Sequence, residues 1–201
     1  IGSSPRGEWI TACHNSTYSD RVLHSLKNLV DDIGFDGLYL DVSGCSACKS
    51  RHHGCGYEDA ATGEWQPVVN IRATRELYMR MYTLLKSEGR DGILFRHGMP
   101  IAAVAGFVDV VTQGEDWCRE GKDQYDRLTP ELFRVKTMKR QYGTPFTWYT
   151  FHHYYRGEKW GGRIPLSAIL AYCLPHHILP TEAREAMWPV WDVTDQFWTS
   201  A

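Results

Sequence analysis

The chain lacks a charge excess of either sign: its 201 residues include 22 Lys and Arg and 24 Asp and Glu, a formal net charge of −2. A protein that binds nucleic acid or an anionic membrane usually carries an excess of Lys and Arg over Asp and Glu, so we expect neither partner. No segment approaches the roughly 18 to 20 apolar residues of a membrane-spanning helix. The glycine-rich turns that bind nucleotide phosphates, G-x-G-x-x-G and G-x-x-x-x-G-K-[ST], are also missing, and we expect no cofactor.

Internal repeats, low-complexity runs and Pro/Ser-rich linkers are also lacking, which predicts a single domain over residues 1–201. The first residue is Ile1 rather than Met, and neither a basic nor an apolar leader segment follows it. We therefore expect that the chain was cut from a longer protein or processed.

Aromatic residues are abundant by contrast, at 13% of the chain, with 8 Trp and 11 Tyr. Such a surplus indicates a large core, an aromatic-lined cleft of the kind that binds carbohydrate, or both.

Short apolar strands alternate with segments of helical periodicity, an order that predicts βαβ units and a parallel sheet. The six predicted strands are 9–13, 37–42, 92–96, 107–111, 146–149 and 177–179, with helices expected near 19–33, 72–88, 129–141, 166–174 and after 181. A (β/α)8 TIM barrel takes about 250 residues. The sequence therefore predicts an α/β fold, an incomplete TIM barrel that holds strands three to eight and lacks its first two units.

Polar side chains follow most of these predicted strands, where a barrel places its active site. Asp41 ends an apolar strand, and Glu115 follows another apolar strand two places later. Two carboxylates that converge on a cleft are the groups that hydrolyse a glycosidic bond. The alternative is that Asp41 only caps a helix or orders a loop, and that Glu115 pairs with Arg119.

Other strand-end residues are predicted to bind the substrate, through hydrogen bonds to sugar hydroxyls or through stacking on the sugar ring. They are His14, Tyr39, His53, Arg96, His97, Asp116, Trp117, Trp148, Tyr149 and His152. Packing is the alternative for the histidines and for the aromatic stretch 148–155.

The six cysteines are too few for a disulfide scaffold in a chain of this length. Cys45, Cys48 and Cys55 lie in one loop with His52 and His53. Three or four of these side chains could hold zinc, although the second C-x2-C or H-x3-H half of common zinc motifs is missing. The alternative is a structural loop with one disulfide, and no metal is assigned to the expected active site.

Four segments of the chain form a recognisable set: Gly37-Leu38-Tyr39-Leu40-Asp41-Val42, His53-Gly54-Cys55-Gly56-Tyr57, Arg72-Ala73-Thr74-Arg75-Glu76-Leu77-Tyr78 and Gly114-Glu115. Together they resemble a family of bacterial proteins grouped with glycoside hydrolase family 123. The resemblance implies a TIM-barrel catalytic domain, with β-sandwich material and the missing barrel strands earlier in the full-length chain.

The order of acidic residues also resembles that of alpha-galactosidase-type barrels, which implies Asp41 as nucleophile and Glu115 as acid/base. This sequence departs from both groups. Tyr39 stands where the galactosidases have Lys, and Val42 follows Asp41 where family 123 has an adjacent Asp-Glu pair. Because of the two strand-end carboxylates and this resemblance, we expect a glycosidase acting on a carbohydrate. The alternatives are a non-catalytic carbohydrate-binding barrel and, third, a zinc-dependent hydrolase that uses the Cys-His loop.

Overall fold

The structure is a computed structural model, and not every residue is described. The described residues are 2–4, 7–9, 12–41, 43–98, 101–114, 129–137, 144, 146–148, 171–176 and 178–180. The chain divides into two compact units, residues 1–111 and residues 112–201. A single domain over 1–201 stays a prediction.

The first unit alternates short strands with helices. Its elements are β1 (Gly2–Ser4), β2 (Gly7–Trp9), α1 (Tyr18–Asp31), β3 (Gly37–Leu40), β4 (Ala47–Cys48), β5 (Tyr57–Glu58), β6 (Trp65–Gln66), β7 (Val68–Val69), α2 (Ile71–Lys86), β8 (Ile93–His97) and α3 (Ala102–Ala105). A further strand, β9 (Val110–Gln113), continues past residue 111. The long loop between β3 and α2 is held in two small antiparallel pairs, β4 with β7 and β5 with β6.

A βαβ unit lies at the centre of this half of the chain: β3 and β8 pair in parallel, with α2 between them in sequence. Gly37 pairs with Ile93 at the start of the ladder, where a Cβ on Gly37 would lie only 2.9 Å from the Ile93 carbonyl oxygen. Any other residue would force the strands apart, so glycine sets how closely they approach.

The core of the first unit forms where α2 packs against α1 and β8. Its buried side chains include Leu26 and Val30 of α1, Leu77, Met81 and Leu85 of α2, and Leu94 of β8. Those of the two helices recur at the four-residue spacing of one helix face. Burial of each such side chain contributes roughly 1.5–3 kcal/mol.

The second unit contains α4 (Pro130–Thr137), β10 (Phe146–Trp148) and β11 (Leu179–Pro180), and β10 pairs with β11 in parallel. Phe133 of α4 lies at the centre of an aromatic cluster. Its ring centroid is 5.3 Å from that of Trp148 and 5.0 Å from that of Tyr172. Trp148 and Phe133 are fully buried, so aromatic packing organises this region.

Most predicted elements lie close to the described ones, but two predicted strands differ. The strand expected over 107–111 is observed as Val110–Gln113, and the first predicted strand is also displaced. Residues 12 and 13 of the expected strand 9–13 are not extended strand, and Trp9 instead ends β2, which pairs antiparallel with β1. The Ser16 hydroxyl donates to the Cys13 carbonyl and the Ser19 hydroxyl to that of His14. The Cys13 carbonyl therefore bonds locally instead of pairing with a neighbouring strand.

The parallel pairs β3–β8 and β10–β11, with helices along the chain between strands, are an α/β arrangement. The incomplete TIM barrel stays a prediction. Among the described helices, none combines the length and apolar character needed to cross a membrane.

Candidate active site

Asp41 and His97 lie at the same edge of the β3–β8 pair, because the carboxyl ends of parallel strands point the same way. Asp41 follows β3, His97 ends β8, and His97 Nδ1 lies 2.9 Å from Asp41 Oδ1. An ionised carboxylate only accepts hydrogen bonds, so the proton of this bond is on Nδ1. The Asp41 side chain is 58% exposed and the His97 side chain 19%. The hydrogen bond to His97 therefore orients a carboxylate that is more than half exposed.

An aromatic side chain lies beside this pair. Tyr39 is 49% exposed, and its ring packs edge-on against Phe95, with centroids 5.2 Å apart. The same ring is nearly parallel to that of His97, at 21° and 6.3 Å. Side chains two residues apart on a strand point to the same face, so Tyr39 and Asp41 share one face of the sheet. This face therefore combines a carboxylate, an imidazole and an exposed ring.

The opposite face of the same strands carries a buried polar chain that begins at Arg96. Arg96 is 7% exposed; its Nε donates to the Tyr78 hydroxyl at 2.8 Å, and its Nη1 donates to the Gly98 carbonyl at 2.8 Å. The Tyr78 hydroxyl lies 2.7 Å from the hydroxyl of Ser43 and 3.0 Å from its carbonyl oxygen.

This polar chain connects the carboxyl ends of β3 and β8 to helix α2. Ser43 lies two residues after Asp41 and Gly98 directly after His97, and both are tied to α2 through Tyr78 and Arg96. Arg96 was predicted to bind substrate. Its guanidinium instead lies on the helix side of the sheet, buried, so we assign it a positioning role.

His14 lies in a different place from Asp41. Its Nδ1 is 2.8 Å from the Thr74 hydroxyl, and burial of the ring lowers the pKa of His14 below its usual value. It lines a polar hollow of about 560 Å³ together with side chains from the starts of α1 and α2, and neither Asp41 nor His97 belongs to that lining. The structure therefore does not bring His14 to the Asp41–His97 pair.

His53 is also placed elsewhere, in a cluster with three cysteines. The ligand atoms of Cys13, Cys48, His53 and Cys55 all lie within 4.8 Å of one another. We expected any metal ligands to come from the loop 45–55 alone. That expectation is wrong for this cluster, because Cys13, from before α1, takes part while Cys45 and His52 do not.

Trp148 was predicted to stack on a sugar, but its ring is fully buried against Phe133 and Tyr172. We therefore assign it to the core. The other predicted site residues, Glu115, Asp116, Trp117, Tyr149 and His152, lie outside the described residues.

Sequence reasoning missed Tyr78, Ser43 and Cys13. Tyr78 sits on the apolar face of α2, and its spacing predicts only packing. Cys13 stands alone in sequence, 42 residues before Cys55, and nothing local marks it as part of a cluster.

Comparison with known proteins adds no family to these observations. No protein-family model matches the chain, and no curated protein shows significant similarity to it.

Proposed function

We propose that this chain is a glycoside hydrolase whose active site lies at the carboxyl ends of β3 and β8, with Asp41 as the reacting carboxylate. The observation that carries the proposal is the exposed Asp41 carboxylate, held by His97 and flanked by the Tyr39 ring on one face of the sheet.

The geometry suits attack on an anomeric carbon. The hydrogen bond from His97 Nδ1 orients the Asp41 carboxylate and leaves its exposed side toward solvent. An aromatic face beside a carboxylate offers the apolar side of a sugar ring a surface to pack on. The carboxylate then stabilises, or bonds covalently to, the positive centre that develops as the glycosidic bond breaks.

The second carboxylate of the proposal is Glu115, which would protonate the leaving oxygen and later activate water. A covalent intermediate on Asp41 would mean that the anomeric configuration is retained. The next two residues in sequence, Asp116 and Trp117, remain candidates for substrate contact.

The test compares two aspartates that flank the same strand. Asp41 directly follows the last residue of β3, and the exposed Asp36 directly precedes the first. Asp36→Asn therefore removes a carboxylate from the amino end of the strand, away from the proposed site, and is the matched control. Wild type and variants are assayed on a panel of 4-nitrophenyl α- and β-glycosides that includes galactosides and N-acetylhexosaminides. Asp41→Asn is expected to lower kcat by at least about 100-fold and Asp36→Asn to leave it unchanged.

Normal turnover by a folded Asp41→Asn protein would overturn the assignment. Glycan binding without hydrolysis across the whole panel would favour the non-catalytic carbohydrate-binding alternative. Where turnover occurs, trapping with a 2-deoxy-2-fluoro glycoside followed by peptide mass spectrometry should label Asp41. A label on another residue would contradict its role as nucleophile.

A further inference from the structure

Four potential metal ligands converge in the first unit although they come from separate parts of the chain. Cys13 precedes α1, Cys48 ends β4, His53 ends the 3-10 turn Arg51–His53, and Cys55 follows that turn by two residues. Their sulfur and nitrogen ligand atoms all lie within 4.8 Å of one another.

Two of the six separations between the ligand atoms are close to the edges of a tetrahedral zinc site. With Zn–S near 2.3 Å and Zn–N near 2.0–2.1 Å, tetrahedral geometry puts two sulfurs about 3.8 Å apart and a sulfur and a nitrogen about 3.6 Å apart. Cys13 Sγ lies 3.6 Å from Cys55 Sγ, and Cys48 Sγ lies 3.6 Å from His53 Nδ1. Both pairs are already close to the spacing that a single ion requires.

All three cysteines of the cluster are free thiols rather than disulfide partners. Cys55 is fully buried and Cys13 is 7% exposed, so two of the sulfurs are shielded from solvent. Buried thiols that converge without a disulfide are a common arrangement of a metal centre.

A second layer of donors surrounds the sulfurs. Asn70 Nδ2 donates to Cys55 Sγ at 3.1 Å and to Cys13 Sγ at 3.4 Å, and the backbone N–H of Ser50 donates to Cys48 Sγ at 3.4 Å. Asn15 Nδ2 donates to the His53 carbonyl at 2.6 Å, which fixes the backbone of the turn. Such donors stabilise thiolate ligands and orient them toward a metal.

We propose that Cys13, Cys48, His53 and Cys55 bind one Zn²⁺ ion as a closed structural site. Three thiolates and one imidazole fill a tetrahedral shell and suit zinc rather than the oxygen-preferring Mg²⁺ or Ca²⁺. With four protein ligands no position is left for water or substrate, so the ion stabilises the fold and does not catalyse hydrolysis. This separates the site from the third alternative, a zinc-dependent hydrolase.

The ion would cross-link segments that hydrogen bonds already bring together, such as the bond from Asn15 Nδ2 to the His53 carbonyl. The strands described in the loop between β3 and α2 are each two residues long, and zinc would link this loop to the segment before α1. Asn70, which bonds two of the sulfurs, directly precedes α2, so the start of that helix is tied to the same centre.

The first test measures metal content on the unmodified chain, purified without chelator and exchanged into metal-free buffer. Elemental analysis is expected to find about one zinc per chain, and replacement by Co²⁺ to produce a thiolate-to-cobalt charge-transfer band with the intense visible bands of tetrahedral cobalt. A chain that neither retains zinc nor takes up zinc or cobalt from solution would overturn the proposal. A weak visible spectrum typical of octahedral cobalt would also overturn it, because it would exclude a tetrahedral thiolate site.

The second test uses matched pairs that the loop itself provides. Cys48→Ser should lose zinc while Cys45→Ser keeps it, and His53→Ala should bind zinc at least about 10-fold more weakly while His52→Ala binds as wild type does. Equal losses from both members of a pair would overturn the ligand assignment. If a ligand variant fails to fold, the cobalt spectrum of the unmodified chain still decides the question. Neither readout depends on hydrolase activity.

Discussion

The Asp41–His97 edge and the Cys-His cluster lie in the same unit of the chain but differ in burial. The Asp41 side chain is more than half exposed and lies within hydrogen-bond distance of His97, whereas Cys55 is fully buried among Asn70, Asn15 and Cys13. A ligand that must enter and leave needs a group that is exposed to solvent. A permanently bound ion needs ligands that are enclosed and oriented before it arrives.

The two sites also depend on the fold in different ways. The Asp41–His97 pair follows from one parallel ladder, since β3 and β8 end side by side. The cluster needs Cys13, the 48–55 turn and Asn70 to meet, which involves three separated segments. If both interpretations are correct, disruption of the cluster should chiefly affect stability, and disruption of the strand-end pair should chiefly affect activity.

The largest expected effect is on stability when zinc is removed. A ligand present at 1,000 times its dissociation constant stabilises the folded state by about 4 kcal/mol, and chelation should remove at least that much. Urea unfolding of the wild-type chain in zinc and in excess EDTA measures the difference. Cys45→Ser should respond to EDTA as wild type does, and superimposable wild-type curves in the two buffers would contradict the prediction.

A smaller loss of stability is expected from Tyr78→Phe. This substitution disturbs the hydrogen bonds that link Arg96 and Ser43 to α2 without changing Asp41 or His97. The substitution leaves the buried Arg96 Nε without its acceptor and should cost about 1–3 kcal/mol. Tyr82→Phe is the matched control on α2, since its hydroxyl makes no hydrogen bond to the described residues and its loss should change stability by less than about 0.5 kcal/mol. Equal unfolding midpoints for the two variants would argue against the positioning role of Arg96.

The smallest effect on stability is expected from His97→Gln, because its bond to Asp41 is part-exposed and such pairs contribute about 0–1 kcal/mol. On the proposed function the same variant should lower kcat by about 10-fold or more, because the carboxylate loses its fixed orientation. His24→Gln, on the exposed side of α1, is the control. A His97→Gln protein with unchanged kcat and a large stability loss would reverse the comparison and make this pair structural.

Much of the local structure could be predicted from periodicity. The helices expected near 19–33 and 72–88 are observed as Tyr18–Asp31 and Ile71–Lys86, and the strands before Asp41 and up to His97 lie close to their predicted places. Apolar spacing and flanking glycines are local properties, so they survive in a single sequence. The prediction of strand was wrong at residues 12 and 13, where the Cys13 carbonyl accepts a local hydrogen bond from the Ser16 hydroxyl.

By itself the sequence determined the α/β alternation and the presence of Asp41 and His97 at strand ends, since both follow from local patterns. Only the tertiary structure decided that Arg96 and His97, neighbours in sequence, lie on opposite faces of one strand. Arg96 is buried against Tyr78 of α2, whereas His97 contacts Asp41 on the other face. It also decided that Cys13 completes the cluster in place of Cys45. Spacing along a chain constrains ligands a few residues apart, but the meeting of Cys13 with Cys55 across 42 residues depends on how the loop folds back on the segment before α1.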